Sequence, residues 1–198
     1  MSYLNKTPIG DNLVKKRIKG IVSTYPDCNG NVADTICNLY DYMRKINFIG
    51  GCHALSSVLY VALSELGQKP MLYVGECQLP GDQPFDHSWI CIDGKIIDLA
   101  IYMPLTGHIN SVSGPVVFDI DTVTMKHTAV NYGINTGLPM GNDAKIVIET
   151  SFSQYMSGYP RERGGLWTVV QKILPPDKVI SRELLVEKYK NVGRNFVR

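Results

Sequence analysis

The chain has 198 residues, 44% of them hydrophobic and 19% charged, which suits one domain with a real apolar core. Its net charge is only +2, and its basic residues gather in two short clusters, Lys15-Lys16-Arg17 and Lys188 to Arg198; both are read as solvated face or tail, which speaks against a nucleic-acid partner. Met1 to Asp11 holds no apolar signal core, no run nears the roughly 18 apolar residues of a membrane span, and five irregularly spaced cysteines suit a reducing compartment, so a cytoplasmic protein without a membrane partner is expected.

Leu13 to Ile21 predicts a short helix, and Tyr25 to Asn31 is loop chemistry. Asn31 or Asp34 is placed to cap a second helix, in which Ile36, Leu39, Tyr40, Met43 and Ile46 recur at three- and four-residue spacings until about Asn47. A third helix follows Gly50-Gly51. Leu55, Val58, Leu59, Ala62, Leu63 and Leu66 form its broad apolar stripe, and Gly67 stands at the C-terminal cap. Met71 to Gly75 reads as a central strand, and Gly81 to Phe85 as a loop.

His87 to Ile92 is a strand, Asp93-Gly94 a two-residue hairpin turn, and Lys95 to Leu99 the return strand. The turn sets the register. Ile92 faces Lys95, Ile90 faces Ile97 and Trp89 faces Asp98, so His87 and Asp98 share a face as diagonal neighbours. Beyond Ala100 the pattern is irregular to Gly114. Val116 to Ile120 is expected to be a strand, Thr122 to Asp143 a long loop, and Lys145 to Glu149 another strand. Ser151 to Tyr155, a loop from Gly158 to Gly165 and an apolar patch from Leu166 to Leu174 precede a last helix that Ser181 caps.

Cys52 falls at a helix start, where unpaired N–H groups favour a thiolate and its own N–H is a natural oxyanion donor. With His87 as base and Asp98 as the group that orients it, the three have the order of a nucleophilic triad. His53 is the rival base, but it points about 100° away from Cys52 on a helix and is expected at the surface or rim. His108 and His127 lie in loops without recognisable partners, and Cys28, Cys37, Cys77 and Cys91 read as small buried hydrophobes. Cys52, His53 and His87 lack the paired spacing of a metal site, so neither metal nor cofactor is expected.

Gly51-Cys52, the helix ending in Leu66-Gly67, the strand to Val74-Gly75, His87-Ser88-Trp89-Ile90 and Ile97-Asp98 together resemble the core of the transglutaminase-like superfamily, which belongs with the papain-like cysteine proteases. The resemblance covers about fifty residues. It implies an α+β fold with a papain-like core, in which N-terminal helices pack on an antiparallel sheet. The expected organisation is a single domain over residues 1–198, with the core at about 31–150 and a C-terminal extension at about 151–198. It also implies a cysteine-dependent hydrolase (peptidase or amidase) or acyl transferase that works through a thioester on peptide or protein substrates; the superfamily includes non-catalytic binding relatives as well. Two features depart from the family pattern. Leu99-Ala100 follows Asp98 where proline or threonine is common, and no glutamine ahead of Cys52 supplies a second oxyanion donor. Tyr42, Asn47 or a backbone amide is the expected substitute. Substrate selection is expected after Ala100, with Tyr102, Tyr132 and Trp167 as candidate cleft walls.

Overall fold

The structure is a computed structural model that describes residues 10–105 and 113–197; His108 lies outside the described residues. Helix α1 (Asp11–Val22) buries Val14, Ile18, Ile21 and Val22. Helix α2 (Gly30–Lys45) begins earlier than expected. Its cap is Asn29, whose side-chain oxygen accepts the Val32 N–H at 3.2 Å, so Asn31 and Asp34 lie inside the helix. Helix α3 (Cys52–Glu65) is buried from Cys52 to Leu59 and again at Val61 to Leu63. It ends as its sequence requires: Gly67 adopts φ +83°, its N–H reaches Ser64 O, and the Gln68 N–H reaches Leu63 O. That pair of bonds satisfies carbonyls the helix would otherwise leave open.

Strands β1 (Met71–Gln78), β2 (Phe85–Ile92) and β3 (Lys95–Asp98) form an antiparallel meander. Asp93 and Gly94 both take positive φ, as a tight hairpin turn demands, and the expected register follows, with Ile92 opposite Lys95 and Ile90 opposite Ile97. The face carrying Ile90, Ile92 and Ile97 joins the main core with α3.

Val116 to Ile120 is not one strand. It is a hairpin of β4 (Val116–Val117) and β5 (Ile120–Asp121), turned at Phe118 and Asp119, both with positive φ. Side-chain contacts hold that turn. Phe118 stacks on Tyr25 at 3.8 Å, and Asp119 accepts the Ile96 N–H at 2.8 Å. The expected long loop contains β6 (Asn131–Ile134), which pairs with β1.

Lys145 to Glu149 belongs to helix α4 (Asn142–Glu149), not to a strand. Its buried residues are Ala144 and Val147, three apart, whereas the alternating Ile146 and Ile148 are exposed. Helices α5 (Phe152–Gly158), α6 (Leu166–Ile173) and α7 (Arg182–Tyr189) follow, and Ser181 caps the last of them. The final basic stretch is more than a tail, because β7 (Asn195–Val197) pairs with β1 in parallel. Gly75 permits this approach: a Cβ there would sit 2.3 Å from Val197 O.

The result is an α+β architecture, a curled antiparallel sheet with helices. The sheet runs β5-β4-β3-β2-β1-β6, with β7 also on β1. Residues from α1, α2, α3, α5, α6 and α7 share one apolar cluster that includes Ile18, Leu39, Leu59, Phe152, Trp167 and Leu185. Among the described residues, no helix is long and apolar enough to cross a membrane.

Candidate active site

The site begins with the turn that feeds α3. Gly50 takes φ +66°, donates its N–H to Met103 O at 2.9 Å, and lies so close to Leu105 that a Cβ would stand 2.4 Å from that side chain. Only glycine meets both conditions. The first intrahelical bond runs from the Leu55 N–H to Gly51 O, so the amides of Cys52, His53 and Ala54 have no partner within the helix. Cys52 therefore sits on the positive end of the helix dipole.

His87 and Asp98 meet across β2 and β3 as the hairpin register requires. His87 Nε2 lies 2.7 Å from Asp98 Oδ2, and both side chains are buried. The other Asp98 oxygen accepts the Ala100 and Ile101 N–H groups at 3.0 and 3.2 Å, at a 3-10 turn (Ala100–Tyr102) that starts where β3 ends. Tyr132 on β6 donates its hydroxyl to Oδ2 at 2.9 Å. Four donors thus hold one buried carboxylate. Cys52 also interacts with the His87 ring, by charge and by a side-chain hydrogen bond.

Burial alone would lower the His87 pKa. The charges of Asp98 and Cys52 and the hydrogen bonds the ring donates to both outweigh it and raise the value to about 10. The ring is therefore held as an imidazolium near neutral pH by its two neighbours, Asp98 and Cys52. By contrast, burial pushes Cys37 and Cys91 to about 11 and Cys77 well above an ordinary thiol. Those three remain thiols. All five cysteines are free, and Cys28 and Cys91 are only half-buried, less than expected.

No family model, curated protein or solved structure matches the chain. The residues themselves therefore carry the assignment.

A cleft of about 450 Å³ opens on Cys52 and His87, with His53, Phe85, Leu105 and Asn142 also in its lining. A second cavity of about 560 Å³ adjoins it, lined by Phe48, Ile146, Tyr155, Tyr159 and Arg161; Gly50, His53, Leu105 and Asp143 line both. Two exposed apolar side chains, Leu105 and Ile146, make its rim.

His53 is not a surface residue. It is 8% exposed, and its Nδ1 lies 2.6 Å from Ser88 Oγ. Burial, and after it the positive charges of His87 and Arg194, lower its pKa to about 3, so the ring is neutral.

Of the candidate cleft walls, Trp167 is wholly buried and donates to Ser157 Oγ, and Tyr102 is buried beneath the Arg44 guanidinium. Neither lines the cleft. Tyr132 lines neither cavity and instead supports Asp98. Burial and the Asp98 charge raise its phenol well above the usual range, so it stays a donor. Tyr42 is committed to Glu162 at 2.5 Å. His127 is largely exposed, bonds Thr128 O and comes within 4.0 Å of Asp119. Among the described residues, no group of three or more histidine, cysteine or acidic side chains could hold a metal ion.

Proposed function

We propose that the protein is a cysteine-dependent hydrolase (a peptidase or amidase) or acyl transferase, with a transglutaminase-like, papain-like core and a peptide or protein substrate. Cys52 is the nucleophile, His87 the acid–base and Asp98 its orienting group. The observation that carries this reading is the buried His87–Asp98 pair, 2.7 Å apart, with Cys52 acting on the same ring and both Cys52 and His87 at the wall of an open cleft. The thiolate adds to an amide or ester carbonyl, and the freed amide N–H groups at the start of α3 receive the developing oxyanion. His87 gives its proton to the leaving group, and a thioester forms on Cys52. Water or an amine then attacks the thioester, with His87 accepting the attacker's proton.

Iodoacetamide alkylation of Cys52, followed against pH in wild type and in His87→Ala, tests the proposal. Wild type is expected to react already below the pH range of an ordinary thiol, and His87→Ala to lose that reactivity. If both proteins follow an ordinary thiol titration near pH 8.5, the nucleophile is not activated, and a binding or scaffold role replaces the enzyme.

A further inference from the structure

Two consecutive residues of α3 engage two consecutive residues of β2. Cys52 meets His87, and beside it His53 meets Ser88. The proposed reaction uses the first pair and leaves the second unexplained. Ser88 is 1% exposed, and a hydroxyl that deep must place its proton on an acceptor. Among the described residues, the partner of Ser88 Oγ is His53 Nδ1. The hydroxyl therefore donates, Nδ1 accepts, and the single proton of the neutral ring resides on Nε2. That nitrogen has no partner among the described residues and is not sealed from solvent; His53 lines both cavities beside Cys52. Side chains lean toward the N-terminus of their helix, which directs this ring to the open end where the thiol stands.

We infer that the Nε2–H of His53 is the second oxyanion donor, hydrogen-bonding the carbonyl oxygen of the acyl group that Cys52 attacks. This rests on the thiol-acylation reading above. Three other side-chain candidates are weaker. Tyr42 is spent on Glu162, Asn47 lines neither cavity, and Asn142 is exposed, so water competes for its amide. A donor that stays neutral has a further use. It stabilises the oxygen without offering a second proton that would compete with His87.

Acylation by 4-nitrophenyl acetate isolates this step. The Cys52 sulfur bonds to the acetyl carbon, the carbonyl pair moves to oxygen, and collapse expels 4-nitrophenolate and leaves the thioester. Iodoacetamide alkylates the same sulfur by displacing iodide and forms no oxyanion. Both rates are measured in wild type, His53→Phe, His53→Gln and Ser88→Ala, with Cys52→Ser as the blank for Cys28 and Cys91.

His53→Phe is expected to slow acylation about 100-fold, the usual cost of one oxyanion donor, while its alkylation rate stays near wild type. His53→Gln, whose amide nitrogen can occupy the Nε2 position, restores most of the loss. Ser88→Ala, which frees the tautomer but keeps the ring, costs about 3- to 10-fold in acylation, the worth of one neutral hydrogen bond. Undiminished acylation in both His53→Phe and Ser88→Ala overturns the inference, and so does an equal fall of both rates, which marks a structural role. A wild-type thiol that alkylates independently of His87 removes the catalytic reading itself, a result distinct from either.

Discussion

Asp98 accepts four hydrogen bonds, and the donors come from three parts of the chain. His87 reaches it from β2, two amides from the following turn, and Tyr132 from β6. Removing the carboxylate leaves a buried imidazole without its counter-charge, a change that costs about 3–5 kcal/mol when a buried pair is broken. Asp98→Ala is therefore expected to lower stability by that order in urea unfolding. Tyr132→Phe removes one of four donors and is expected to cost about 1–3 kcal/mol, with slower Cys52 alkylation because His87 is less firmly held. An unchanged midpoint in Tyr132→Phe would show that the phenol contributes nothing to the carboxylate. The His87–Asp98 pair was legible in the sequence because strand side chains alternate strictly and Asp93-Gly94 pins the turn. Tyr132 was not. It lies 34 residues from Asp98, and β6 is exposed or half-buried at every position, so it shows no alternation to read.

At the scale of elements, the helices with caps and broad stripes were readable, and the marginal segments were not. α4 misleads because Ile146 and Ile148 alternate, while the contacts that decide its state are Ala144 and Val147. One of the two apolar side chains left outside has a place: Ile146 lines the second cavity. The β4–β5 turn needs positive φ at Phe118 and Asp119, which few non-glycine residues adopt, and partners distant in sequence hold it there. β7 is three residues long, below the length at which a pattern exists. Its docking makes a sharp prediction at Gly75. Gly75→Ala would drive a methyl into Val197 O, so β7 must shift or detach from β1. A loss of about 1–3 kcal/mol is expected, with faster amide hydrogen exchange at Asn195 to Val197. Wild-type exchange there would mean that the strand tolerates the extra carbon.

For the molecule as a whole, two neighbouring histidines are pushed in opposite directions. His53, with its folded pKa lowered to about 3, refuses a proton that the unfolded chain accepts near 6.5; stability therefore falls as pH drops from about 6.5 toward 3. His87, raised to about 10, contributes its full stabilisation below about 6.5 and loses it as pH rises toward 10. Each limb has a slope of up to about 1.4 kcal/mol per pH unit. Stability measured by urea unfolding is expected to peak near pH 6.5, with a shallower acid limb in His53→Gln and a shallower alkaline limb in His87→Gln. Limbs that both variants leave unaltered would assign the pH response to other groups.

The pairing of residues 52 and 53 with residues 87 and 88 has one more consequence. Both contacts are buried, and they sit on rigid elements one residue apart. A displacement of α3 from β2 acts on both, since each pair joins the same helical turn to the same strand. The two pairs thus fasten one joint, like two bolts of a single latch. Substitutions that loosen α3 from β2 should then reduce how many molecules carry a reactive thiol, while each molecule still latched reacts at the full wild-type rate.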